Sequence, residues 1–281
     1  MQHVSAHGAD IPAIGLGTWP MTGEECANAV AVALAAGYRH VDTAAAYGNE
    51  AEVGEGIRAS GLARDLVFVT TKVRPWALAD GDMMREVEAS LSRLAIDAAD
   101  LVLIHWPSRT IPVAVAIRSL NMVRRRGLAR HIGISNFTTA LVEAAWAATG
   151  EPLAVLQCEY HPYLGQSKLV AAARARAMAF TAYTPIGHGR ELSDPVIVGI
   201  AERSGRTPAQ VVLRWLVQQP GVIAIPKSAT PARIRENIEI FDFALDEADM
   251  RAIAGLARGG RLIGSSAVEE TALDPAWDDE P

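Results

Sequence analysis

The chain has 281 residues, 50% hydrophobic and 21% charged, which is enough apolar material for a large core and excludes a disordered, collagen-like or coiled-coil protein. Its 26 basic and 32 acidic side chains leave a net charge of −6, a poor match to polyanionic nucleic acid or an anionic membrane surface. Two cysteines, Cys26 and Cys158, are too few for a disulfide framework and fit a reducing cytoplasm, while Met1 to Pro12 lacks the pattern of a secretory signal and no run of ~18 apolar residues suggests a membrane span.

In chain order, His3 to Ser5 and Asp10 to Pro12 flank Gly8 and read as a small hairpin. Short apolar strands then alternate with stretches of helical period. Ile14-Gly15-Leu16 precedes a helix over Ala27 to Ala36, and Arg39-His40-Val41 precedes one through Glu50 to Ala59. Val67 to Thr70 is followed by a helix over Met83 to Leu94, and Leu101 to Ile104 by one over Val113 to Arg126. Ile132 to Ile134 leads to Thr139 to Ala148, and Val155 to Cys158 to Ser167 to Ala177. Ala179 to Tyr183 leads to Pro208 to Gln218, and Val222 to Ile225 to Pro231 to Asn237. From Gly259 to Pro281 the chain is polar and reads as a surface tail.

Eight strand-then-helix units with no linker between them predict one domain over residues 1–281, folded as a closed α/β barrel of the (β/α)8 TIM type. The hairpin is expected to close its floor. In such a barrel the chemistry sits at the C-terminal ends of the strands, so the residues just past each strand are the ones to inspect.

Asp42, Thr43 and Tyr47 follow the second strand, Lys72 the third, and His105 and Trp106 the fourth. Ser135 and Asn136 follow the fifth, Gln157 and Glu159 end the sixth, Tyr183 ends the seventh, and Pro226, Lys227 and Ser228 follow the eighth. Each alone has an ordinary reading as a helix cap, a packed ring or a solvated charge. Together, Asp42, Tyr47, Lys72 and His105 come from three consecutive strands and can converge. A phenol titrates near ~10, too high for good proton transfer at neutral pH. A lysine ammonium within ~4–6 Å favours phenolate, and a carboxylate holds that ammonium charged and oriented. A neutral His105 could then hydrogen-bond a carbonyl oxygen. Such a site donates a proton to a carbonyl that accepts hydride. It contains no hydride source, so a cofactor must supply one. Lys227, Ser228 and Arg233 at the last unit suit the 2′-phosphate of NADP better than the 2′-hydroxyl of NAD.

Other patterns carry less. Gly54-Glu55-Gly56-Ile57-Arg58-Ala59 has the letters of a dinucleotide fingerprint but lies inside a helix with no strand before it. Gly15-Leu16-Gly17 follows a strand, but Pro20 stands where the third glycine is required. His105, His161 and His188 fall on different loops without close ligand pairing, so no metal is expected. Arg124-Arg125-Arg126 reads as the solvated end of a helix, and Cys158 as an inert strand residue. Trp19, Trp76 and Trp106 lie on loops at the active end and suit an apolar substrate pocket that also includes Tyr47 and His105.

Gly37-Tyr38-Arg39-His40-Val41-Asp42-Thr43-Ala44 through Tyr47-Gly48-Asn49-Glu50 resembles the signature of the aldo-keto reductases. So do Leu103-Ile104-His105-Trp106-Pro107, Gly133-Ile134-Ser135-Asn136-Phe137, and Ile225-Pro226-Lys227-Ser228 with Arg233 and Glu236-Asn237. The likeness runs over residues 11–246 and is greatest to short bacterial 2,5-diketo-D-gluconate reductases, with Gly260-Arg261-Leu262-Ile263 and Pro275-Ala276-Trp277-Asp278 in the tail. The resemblance implies NADPH-dependent reduction of aldehydes and ketones without metal. It implies Tyr47 as proton donor, Lys72 and Asp42 as its supports, and His105 as the group that orients the carbonyl. Gly17, Thr18 and Asp42 would lie at the cofactor, with Ser135, Asn136 and Gln157 on the carboxamide and Tyr183 stacked on the nicotinamide. Thr184, Pro185, Ile186, Gly187 and His188 would follow the pyrophosphate, and Lys227, Ser228, Arg233 and Asn237 the 2′-phosphate end. Leu156 stands where many members carry Asn, Tyr183 where close relatives carry Trp, and Arg74-Pro75-Trp76 where relatives often place Trp two residues after the lysine. Small dicarbonyls such as diketo-gluconate or methylglyoxal are the expected substrates, and a cytoplasmic monomer the expected form. The competing readings are a non-catalytic NADPH sensor on the same barrel and a zinc hydrolase.

Overall fold

The computed structural model describes residues 1–264, 271–273, 275 and 277. Strands β1 (His3–Ala6) and β2 (Ala9–Pro12) form the N-terminal hairpin. The barrel strands are β3 (Leu16–Gly17), β4 (His40–Asp42), β5 (Phe68–Val73), β6 (Ala99–Ile104), β7 (Ala129–Ser135), β8 (Leu153–Glu159), β9 (Ala179–Tyr183) and β10 (Val222–Ala224). Each pairs in parallel with the next. A parallel bridge between Ile14 and Ala224 joins the first to the last, so the sheet closes as the expected (β/α)8 barrel. The helices are α1 (Gly23–Ala35), α2 (Glu50–Ala59), α3 (Asp80–Leu94), α4 (Val113–Arg125), α5 (Thr139–Ala148), α6 (Ser167–Arg174), α7 (Pro195–Ser204), α8 (Pro208–Gln218), α9 (Pro231–Ile238) and α10 (Glu247–Ala254).

Why these segments become strands is visible in their burial. All six residues of β6 and all seven of β8 are buried, because helices cover one face and the barrel interior the other. Val102, Ile104, Ile132, Ile134, Leu156 and Phe180 join the layer beneath the helices. Leu101, Leu103, Val155 and Ile223 point into the barrel and pack with Ala6, Ala9 and Ile11. The hairpin therefore does close the floor. Its two-residue turn, His7-Gly8, has φ of 49° and 83°, the left-handed pair that matches the twist of adjoining strands.

Two helices did not stand out in the sequence. Helix α7 is set by Asp194, which caps Val196 N at 2.9 Å, by Pro195 at its first position, and by Gly205 at φ 62° just past its end. Helix α10 begins at Asp246, whose carboxylate accepts from Asp249 N at 2.8 Å. Neither carries a strong apolar stripe, and their start signals are local. Helix α8 shows the full capping box, Thr207 with Gln210. Helix α6 ends at Arg174, short of the expected Ala177. The arginines at the end of α4 are not simply solvated: Arg124 and Arg125 both pair with Glu151, at 3.0 and 2.7 Å.

The rejected glycine motif has a packing role. A methyl group on Gly54 would lie 2.3 Å from Leu94 O, and one on Gly56 would lie 2.5 Å from Ala27 O. These glycines let α2 approach α1 and the end of α3. Backbone cannot yield as a flexible side chain can, so Gly56→Ala should destabilise the protein by about 1–3 kcal/mol. Urea unfolding should show a lower midpoint, and an unchanged midpoint would contradict the packing assignment.

Candidate active site

Register brings the polar residues together. Asp42 ends β4 and lies opposite Thr70 on β5, while Lys72 stands two residues further along β5 on the same face. Lys72 is only 1% exposed, and its ammonium makes a buried ion pair with Asp42 Oδ1. It also donates to Thr43 O at 2.9 Å and to the Tyr47 hydroxyl at 3.2 Å. Tyr47 closes the short 3-10 turn Ala45–Tyr47, with Gly48 at φ 68° just after it. Its half-buried ring meets His105 edge-on, with ring centres 5.5 Å apart. The four residues read from the sequence as a unit thus do converge.

Their electrostatics partly revise the sequence expectation. Burial pushes the Tyr47 phenol above its ordinary value, and the Lys72 charge pulls it back only in part. Tyr47 is accordingly held as a protonated phenol. Burial works against the Lys72 charge, but Asp42 and Tyr47 outweigh it and hold the ammonium above its usual range. Burial, followed by the charges of Lys72 and Arg74, drives His105 well below the normal histidine range, so its ring is neutral.

A surrounding network fixes these groups. Gln157 donates to Asp42 Oδ2 at 2.8 Å, so both carboxylate oxygens are occupied. Asn136, at φ 63°, donates to His105 O at 2.8 Å and accepts from the Tyr183 hydroxyl at 2.8 Å. Thr18 Oγ1 donates to Asp42 O, and Asn49 bridges Thr43 Oγ1 to Thr18 O and Met21 O. Arg74 was missed in the sequence as a support. It donates to Ala45 O at 2.6 Å and pairs with Glu86 at 3.0 Å, which ties the Tyr47 turn to α3. The only sequence signal was that Arg stood in place of the expected aromatic residue.

The site opens onto a cleft of about 880 Å³, large enough for a dinucleotide with a small substrate. Gly17, Thr18, Asp42, Tyr47, His105, Ser135, Asn136, Gln157 and Tyr183 line one end. Thr184, Pro185 and Ile186 line its side, and Lys227, Ser228, Arg233 and Asn237 the other end. Glycine is required at 17, because a methyl group there would lie 2.8 Å from Ile225 O. Gly187 does not reach the wall; its backbone packs on the Glu191 carboxylate. Lys72 stands behind Tyr47 instead of on the surface of the cleft. Trp19 and Trp106 both line the cleft, Trp19 exposed at its surface and Trp106 buried in its wall. Trp76 does not: it lies 48% exposed in the 3-10 turn Pro75–Ala77, while Arg74 takes the inward direction. His188 also lines the cleft, and so do Leu192, Glu236 and Ile263, which the sequence had not placed there.

Among the described residues, Lys227 and Arg233 have no carboxylate within ion-pair distance, although both border the cleft. Two unpaired cations, a hydroxyl and buried amides along one cleft fit a dinucleotide by their donor chemistry. No group of three or more His, Cys, Asp and Glu among the described residues could hold a metal ion, and no helix is long and apolar enough to cross a membrane.

Residues 13–258 match the model of the aldo/keto reductase family. An aldo-keto reductase of Mycolicibacterium smegmatis is 43% identical over 258 residues, covering 91% of this chain and 93% of that protein. Morphine 6-dehydrogenase of Pseudomonas putida is 42% identical over 270 residues, covering 91% of each. A crystal structure of a proposed 2,5-diketo-D-gluconic acid reductase B superposes with a TM-score of 0.94 at 47% identity, covering 99% of this chain and 98% of that one.

The neutral state of His105 can be read directly. In the unfolded chain its ring takes up a proton near ~6.5, whereas in the folded site it does so well below that. The folded state therefore binds fewer protons, and its stability should fall as pH drops below ~6.5. Ring-carbon and nitrogen NMR shifts of His105 should show no protonation step near ~6.5. A normal titration there would remove the buried neutral imidazole.

Proposed function

The chain belongs to the aldo/keto reductase family, and we propose that it reduces aldehydes and ketones to alcohols with NADPH. One observation carries this reading: a protonated tyrosine hydroxyl 3.2 Å from a buried, carboxylate-paired ammonium, facing a cleft of dinucleotide size. A bound dihydronicotinamide supplies the hydride to the carbonyl carbon.

The protein's own part is proton and charge management. His105, neutral, hydrogen-bonds the carbonyl oxygen and aims it at Tyr47. Tyr47 gives its proton to that oxygen as negative charge grows there. The phenolate left behind lies beside the Lys72 ammonium, which stabilises it without moving. Asp42, with both oxygens engaged by Lys72 and Gln157, keeps the ammonium in place. A positioned acid of this kind contributes about 10²- to 10⁴-fold in rate. Ser135, Asn136 and Gln157 serve the carboxamide, Tyr183 the ring face, and the 184–186 backbone the pyrophosphate. Lys227, Ser228, Arg233 and Asn237 read the 2′-phosphate. Trp19 presents an apolar entrance to the substrate, and Trp106 an apolar wall. A non-catalytic sensor would have no need for a proton donor supported in this way.

Purified protein with NADPH and a panel including methylglyoxal, 2,5-diketo-D-gluconate and nitrobenzaldehydes tests the reading. Loss of NADPH absorbance with alcohol formation is expected; NADPH binding without turnover of any carbonyl would favour the sensor. Tyr47→Phe should lower kcat by about 10²-fold or more while NADPH still quenches the protein's fluorescence. Lys72→Met should do similar damage. Removing one partner of a buried pair costs about 3–5 kcal/mol, so its circular dichroism must first match the parent.

Arg233→Ala should weaken NADPH by about tenfold or more and leave NADH nearly unchanged, since a charged hydrogen bond to phosphate is lost. Titration with both dinucleotides decides this. Equal losses would mean that Arg233 does not read the 2′-phosphate.

A further inference from the structure

A second cluster of buried ionisable groups lies beside the cleft, and the reaction does not use it. Glu159 ends β8, two residues beyond Gln157. Its Oε1 lies 2.9 Å from His161 Nε2, and His161 Nδ1 lies 2.5 Å from Glu191 Oε1. All three side chains are 1% exposed or less. Glu191 follows the 3-10 turn Gly187–Gly189, on the loop that leaves β9 along the cleft. The Glu159 carboxylate also accepts from the backbone N–H of Leu262 at 2.7 Å and of Ile263 at 3.0 Å. The Arg261 guanidinium stands 3.7 Å from its other side.

The sheet has no need of this carboxylate, since β8 and β9 pair through their backbones at Glu159 and Tyr183. What the side chain does is hold two successive residues of the C-terminal segment. Charge-assisted hydrogen bonds of this kind are about twice as strong as neutral ones. Burial opposes a charge on His161, but the two carboxylates flanking its ring outweigh that and favour the imidazolium. Two carboxylates and two cations then stand together in one cluster. The segment has a second attachment: Leu273 N donates to Pro107 O at 2.8 Å, and Arg109 Nε donates to Ala272 O at 2.6 Å, just past His105. Ile263 on the segment, and His188, Gly189 and Leu192 on the β9 loop, all line the cleft.

We propose that Glu159 is a positioning residue for substrate selection: through Leu262 and Ile263 it fixes the C-terminal segment as a wall of the cleft, and through His161 and Glu191 it ties that wall to the loop along the cofactor side. The wall discriminates by size. A carbonyl compound with a bulky apolar body rests against Ile263, whereas a three-carbon dicarbonyl does not reach it. This inference rests on the carbonyl-reductase reading above.

Glu159→Gln keeps the size and removes the charge. Its KM for 4-nitrobenzaldehyde should rise about tenfold with kcat within about twofold, and its KM for methylglyoxal should stay within about twofold. Amide exchange at residues 262 and 263 should accelerate by about tenfold or more. Ile263→Ala should raise the aromatic KM similarly, and the double variant should add nothing further. Leu262→Pro, which deletes one donor and leaves every barrel residue intact, should reproduce the KM pattern and stands in for Glu159→Gln if that variant does not fold. Equal KM changes for both substrates, a fall of kcat alongside KM, additive effects in the double variant, or unchanged amide exchange would each overturn the proposal. If the parent protein turns over neither aldehyde, the reductase reading has failed, and amide exchange alone still reports whether Glu159 holds the segment.

Discussion

The arrangement of the active end depends on one buried charge pair, Lys72 with Asp42. An ammonium removed from water is tolerable only where its donors are all satisfied, and here a carboxylate, a backbone carbonyl and a phenol take them. Those three acceptors come from β4 and the turn after it. The pair therefore dictates how that turn folds, and so where the Tyr47 hydroxyl points. Thr18, Asn49 and Arg74 hold the same turn from three further directions. A pair of this kind is weak evidence of stability but a strong determinant of geometry.

From Asp42 the constraint passes around the barrel. Gln157 carries it to β8, and Asn136 joins His105 to Tyr183 across β7. Each amide spends both of its ends on protein partners or on the cleft. The wall that would face a nicotinamide is thus set by side chains with little freedom to rearrange, which is the preorganisation that polar catalysis requires.

Much of this was legible in the sequence. Strand positions followed from short apolar runs, and the rule that barrel chemistry lies past each strand led to Asp42, Tyr47, Lys72 and His105. The false glycine motif was recognised because no strand precedes it, and Gly54 and Gly56 are indeed packing residues. What escaped notice depends on three-dimensional contact between distant segments. Arg74 matters because its side chain reaches Ala45 O, and nothing in its neighbours announces that. Glu191 is separated in sequence from Glu159 and His161 by a helix and a strand, and His161 had looked like an isolated histidine. The direction of the Tyr47 shift also escaped, because burial of the phenol is a property of the folded site and outweighs the lysine. Parts of the C-terminal likeness, including Ala276 and Asp278, lie outside the described residues.

The hairpin under the barrel has an effect at the opposite end. Leu101, Leu103, Val155 and Ile223 fill the interior, and Ala6, Ala9 and Ile11 seal it below, so Lys72 sits above a column of packed apolar side chains. The catalytic end is a cul-de-sac. On the proposed reading, a proton given up by Tyr47 would be replenished from bulk water by way of the cleft. Product departure and recharging of the acid would then share that cleft, a consequence of the small apolar residues packed a strand length away.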